Sequence, residues 1–176
     1  MSLIVLMGMI GMLLVLFLKR PLIDRIGKDN KLVYKLRDAK WFHNHWLSGI
    51  FLFGLNGVFF FLAVTCLYVL MYIFIPFVHL IVMFFAVIAS IYVWILINRA
   101  WEGTRSNRLK MAAIGSSFYI LLTFIFVFWL INLNPSYPGE DTFMGAIGLV
   151  FAIIVTLVAF VTCFVITGFS KEKVAN

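Results

Sequence analysis

The residues of this chain best equipped to hold a ligand or attack a substrate are three histidines and two cysteines. His43 and His45 stand one residue apart in the stretch WFHNHW, residues 41–46, between two tryptophans. Such a pair can begin a zinc or haem site, because neutral imidazole ligates both. Side chains two apart on a helix face different directions, so further ligands would have to come from elsewhere, and the remaining histidine is His79. Cys66 and Cys163 are the pair from which a redox-active disulfide would be made. Gly115-Ser116-Ser117 offers hydroxyls without the neighbours that activate a serine nucleophile, and beside Ala112 and Ala113 it reads as a close helix contact. Lys19-Arg20-Pro21 is not accompanied by the histidine motif that would suggest a lipid phosphatase.

Whether these groups can meet depends on the elements that carry them. The chain is 64% hydrophobic and 12% charged, with a mean hydropathy of +1.10; in soluble domains apolar residues make up roughly half. An all-α fold is expected: a polytopic integral membrane protein forming a single transmembrane domain over residues 1–176. A span needs about 20 apolar residues, and the apolar runs predict five transmembrane helices at about 2–18, 47–70, 77–98, 111–131 and 143–169. The long uncharged stretch from Leu47 to Asn98 divides at Pro76, which lacks an amide proton and suits the first turn of a new helix. NLNPSYPGED before the last span reads as a turn. The first run is followed by basic residues rather than preceded by them and has no small-residue cleavage site. It reads as a retained span, not a signal peptide.

Charge orients the bundle. Of 14 Lys and Arg, eight lie between the first and second spans, four between the third and fourth, and two in the tail, while the opposite side carries Glu140 and Asp141. The positive-inside rule then predicts an outside N-terminus and a cytoplasmic C-terminus in the plasma membrane. The net charge of +7 is matched to the anionic lipid of the inner leaflet rather than to nucleic acid. In this topology His79 lies about 30 Å across the hydrocarbon from His43 and His45. The two cysteines differ in depth by about 20 Å at 1.5 Å per residue, and a disulfide needs Cα atoms within about 7 Å. No metal, cofactor or enzymatic activity is expected.

The segment 20–46 places Leu22 and Ile26, then Leu32, Val33 and Leu36, at helical spacing among basic residues, with Gly27 breaking the run. This predicts a short basic amphipathic segment in the headgroup layer, with Lys31, Lys35, Arg37, Lys40, Trp41 and Trp46 towards lipid and Trp101 as a counterpart at the fourth-span border.

Within the spans there is no Asp, Glu, Lys or Arg, which argues against a proton relay. Small and polar residues instead align on helix faces: Gly145, Gly148, Ala152, Thr156, Ala159 and Cys163 in the last span, and Ala112, Ser116, Tyr119 and Thr123 in the one before. Gly49, Asn56 and Ala63 share a face of the second span; His79, Ala86, Ser90 and Val93 share one of the third. Small residues let backbones approach, and lipid supplies no hydrophobic drive to replace that contact. Asn56 is the most expensive to leave unpaired in hydrocarbon, so it is expected to face another helix.

The expectation that follows is a non-enzymatic membrane subunit of accessory, regulatory, immunity or assembly type, associating with another membrane protein or with itself. The competing expectation is an oligomeric small-solute transporter or channel whose pathway is lined by Asn56, Ser90, Ser116 and Thr123.

Overall fold

The computed structural model describes residues 31–73, 78–135 and 141–169; the expected first span, the division at Pro76 and the tail lysines lie outside the described residues. The described chain is all-helical. A short helix α1 (Lys31–Arg37) and a 3₁₀ turn (Lys40–His43) lead into α2 (His45–Ile73), α3 (Val78–Ala100), α4 (Arg105–Ile131) and α5 (Phe143–Gly168). The last four are long and apolar enough to cross a membrane. The apolar runs locate them, but α2, α3 and α4 extend beyond those runs, most of all α4, which starts at Arg105 rather than near Met111. Thr104 fixes that start: its backbone is extended, and its hydroxyl accepts from the amide of Asn107 at 3.4 Å.

The WFHNHW stretch is a helix entrance. Asn44, between the histidines, accepts the Trp46 amide on its side-chain oxygen at 3.0 Å, and its carbonyl takes both the amide and the hydroxyl of Ser48. This satisfies donors that the first turn of α2 would otherwise leave open. Phe42 turns inward and is fully buried, while Trp41 and Trp46 are exposed. In α1 Val33 is buried and Leu36 joins the core, whereas Leu32 faces outward with Lys31 and Lys35. The apolar side of this segment therefore includes Val33 and Leu36 but not Leu32, and it packs against α3.

α4 is the central strut, with its most extensive contacts to α5 and then to α2. Close approach of α2 and α4 is made possible by two glycines. A Cβ on Gly49 would stand 2.8 Å from Cβ of Ile114, and one on Gly115 would fall inside the side chain of Leu52. The helix contact expected around Gly115 is the tightest crossing among the described glycines.

Buried residues gather at one end. They are Ser48, Gly49, Leu52 and Asn56 of α2, Trp94–Asn98 and Ala100 of α3, residues between 111 and 123 of α4, and residues between 156 and 168 of α5. This is the end that carries Lys31, Lys35, Arg37, Lys40, Arg99, Arg105, Arg108 and Lys110. Towards the far end none of the described side chains is buried. The small-residue groove read along the last span is corrected accordingly: from Thr156 onward it is a packing face, but Gly148 meets nothing within 4 Å, and Gly145 meets only Leu133, at 3.8 Å, among the described residues. Ala63, Ala86, Ser90, Ala152 and Ala159 are half-buried, and Ala112, Ser116 and Thr123 are buried. The face runs out because contacts between helices are concentrated at the basic end, not because the residues become larger.

Gly115→Ala should therefore lower thermal stability in detergent by about 1–3 kcal/mol, the usual cost of overpacking. Gly54→Ala, where a Cβ meets nothing within 4 Å, should be neutral or slightly stabilising. Equal effects of the two changes would mean that α2 and α4 do not cross at Gly115.

Candidate functional site

The polar side chains of the basic half converge on Asn56. Its side-chain oxygen accepts from the indole Nε1 of Trp94 at 2.8 Å and from the hydroxyl of Tyr119 at 3.5 Å. Its amide nitrogen donates to the carbonyl of Gly115 at 3.0 Å and to Sγ of Cys163 at 3.6 Å. A side-chain amide has two donors and two acceptor positions, so Asn56 is saturated. Its partners come from α3, α4 and α5, and it is itself on α2. One amide joins all four long helices, in a layer 1% exposed at Asn56. The rings of Trp94 and Tyr119 meet edge to face, with centroids 6.1 Å apart.

The remaining hydroxyls are turned back onto their own helices. Ser90 donates to the Ala86 carbonyl, Ser116 to Ala112, Thr162 to Val158 and Thr167 to Cys163, at 2.7 to 2.8 Å. These back-bonds need no neighbouring helix. Thr123 and Thr156 also bond back onto their own helices, and in addition their hydroxyl oxygens meet across α4 and α5 at 2.9 Å, which extends the hub towards the far end.

A second amide secures the end of α5. Asn98 donates to the carbonyls of Ile166, Thr167 and Phe169, the last two at 3.2 and 3.4 Å. These lie in the final turn of a helix, where carbonyls have no intrahelical partner. Sequence reasoning places Asn98 at the edge of a span and gives Trp94 no particular role. A signal for both is nevertheless present: Trp94 and Asn98 are four apart on one face, and an indole N–H inside an apolar run needs an acceptor just as Asn56 needs a donor.

Below the hub, Trp101 is corrected from a lipid-edge residue to a buried plug, 2% exposed and packed edge to face against Phe42 at 6.0 Å. Arg37 stays exposed. It forms an ion pair with Glu102, which ties α1 to the α3–α4 turn. Arg108 donates to the Trp101 carbonyl at 3.0 Å. Lys31, Lys35 and Lys40 are exposed.

His43 lies against the Ala39 carbonyl at 3.3 Å, and His45 lies against the Trp46 ring at 5.9 Å. Among the described residues no three His, Cys, Asp or Glu side chains are grouped to hold a metal. Cys66 is exposed, Cys163 is buried and both are free thiols. Among the described residues the hub brings together an amide, an indole, a phenol and a thiol, and their hydrogen bonds hold four helices in one unit.

Asn98→Leu should leave the last carbonyls of α5 unsatisfied and lower stability by about 1–3 kcal/mol in a detergent melt. Changing both histidines, exposed His43→Gln with half-buried His45→Gln, should move it by less than about 0.5 kcal/mol. A histidine effect as large as that of Asn98 would assign the WFHNHW stretch a role beyond helix entry.

No protein-family model matches this sequence, and no curated protein or solved structure matches it significantly.

Proposed function

We propose that this is a non-enzymatic, multi-pass subunit of the plasma membrane, of accessory, regulatory, immunity or assembly type. In this reading its basic end lies at the cytoplasmic surface and its far half receives a helix of another membrane protein or of a second copy. The observation that carries it is the unequal use of the two halves. At the basic end every long helix is locked by Asn56, Asn98 and the Gly49 and Gly115 crossings. In the far half α5 leaves Gly148 open, and α2 and α3 present Phe61, Tyr72, Phe84 and Phe85 at the surface, among the described residues. A rigid base beneath apolar helices with a small-residue approach on one of them suits a scaffold for helix docking.

The same geometry speaks against the transporter reading. A pathway through Asn56, Ser90, Ser116 and Thr123 needs polar atoms free to replace a solute's hydration. Those atoms are already bonded to Trp94, Gly115, Ala86, Ala112 and Tyr119.

Gly148→Leu separates docking from folding. The variant should melt within about 0.5 kcal/mol of the parent, since a Cβ at 148 meets nothing within 4 Å among the described residues. It should also lose the stoichiometric partner or self-association that the parent keeps in mild detergent. A parent that purifies alone as a monomer and passes solute across liposomes would contradict the subunit reading.

A further inference from the structure

Beyond a general attraction of the basic end to lipid, we propose that the α3–α4 turn is a discrete site for one phosphate-bearing anion, the headgroup of an anionic lipid being its natural source. This rests on the reading that the basic end faces an anionic leaflet and makes it specific.

Three observations meet at the turn. The first is electrostatic. α4 opens with Arg105, Arg108 and Lys110 and has no acidic residue in its first turn. Cations at a helix N-terminus oppose the helix dipole, which favours anions there. The neighbouring carboxylate, Glu102, is already paired with Arg37 of α1 and does not supply the missing charge.

The second is a positioned donor. Arg108 is half-buried and its guanidinium is oriented by the bond to the Trp101 carbonyl at 3.0 Å. That bond takes one of five N–H groups in a fork that matches phosphate geometry.

The third points to a ligand independently of charge. Trp101 is only 2% exposed, yet its indole N–H has no hydrogen-bond partner, alone among the buried side-chain polar atoms described. Leaving such a donor unsatisfied costs about 1–3 kcal/mol. The N–H edge lies against Gly103: a Cβ there would stand 3.3 Å from Nε1. Only the bare backbone at Gly103 covers that edge, and a side chain there would crowd any oxygen that came to the indole. A phosphate seated over Gly103 has enough acceptor oxygens to take the Trp101 N–H and Arg108 together, beside an α4 N-terminus whose Asn107 and Arg108 amides are held by Thr104.

The test is native mass spectrometry of the full chain in detergent with a phosphatidylglycerol and phosphatidylcholine mixture, counting lipids retained. The parent should keep one phosphatidylglycerol. Arg108→Gln and Trp101→Phe should each weaken retention about tenfold or more. Gly103→Ala changes no charge and should weaken it too, which keeps the site testable if the tryptophan variant fails to fold. Lys31→Gln with Lys35→Gln, removing two exposed charges from the same end, should change it less than about twofold, as expected of screened surface charge. If the lysine pair matters as much as Arg108, attraction is diffuse and the site is overturned while the orientation of the basic end stands. If phosphatidylglycerol is never preferred to phosphatidylcholine, both are overturned. Displacement of the lipid by millimolar inorganic phosphate would assign the site to the free ion; retention in its presence would assign it to the headgroup.

Discussion

An amide side chain surrounded by hydrocarbon has to find its hydrogen bonds inside the protein, and Asn56 finds four, on all three of the other long helices. Lipid tails are as apolar as leucine, so burying leucine against leucine does little to hold such a bundle together. What discriminates one arrangement from another is close packing and the satisfaction of polar groups. Here the two are coupled. The Gly115 carbonyl is within reach of Asn56 because Gly115 has no side chain to hold Leu52 and α2 away. A larger residue at 115 would damage the packing and the hydrogen bond in one step.

The hub also explains why the basic end is built as it is. α3 contributes Trp94 to the hub and, one turn further on, Asn98 to the end of α5. The chain then runs through Trp101 into the turn that starts α4. Phe42 fills against Trp101 from the other side, and the Arg37–Glu102 pair holds α1 over the turn. The basic surface is therefore mounted on the locked half of the bundle. Exposed pairs of this kind contribute little stability by themselves; their effect is to fix where α1 lies.

Much of this is legible in the sequence, and the parts that are not share a cause. Long apolar runs locate the four described membrane-length helices, and the physical cost of an unpaired amide marks Asn56 as a contact residue from its type and position alone. Helical spacing places Ser116, Thr123 and Thr156 on faces that prove buried. Spacing says which residues share a face, however, and not how far along the helix that face is covered. Gly148 and Thr156 lie on one stripe, and one is open while the other is buried. Trp101 is misread for a related reason. Tryptophan near the end of a span is usually an interfacial anchor, but here Phe42, distant in sequence and on a separate 3₁₀ turn, covers it. The start of α4 is hidden because Arg105, Arg108 and Lys110 belong to the helix and not to the apolar run.

The coupling between Asn56 and Trp94 tests the four-helix hub most directly, measured as a double-mutant cycle of Asn56→Ala and Trp94→Phe by equilibrium unfolding in detergent. If the indole N–H and the amide oxygen hold α2 to α3, the double variant should lose less stability than the two single variants summed, by about 0.5–1.5 kcal/mol. Strict additivity would contradict the hub and reduce Asn56 to an ordinary packing residue.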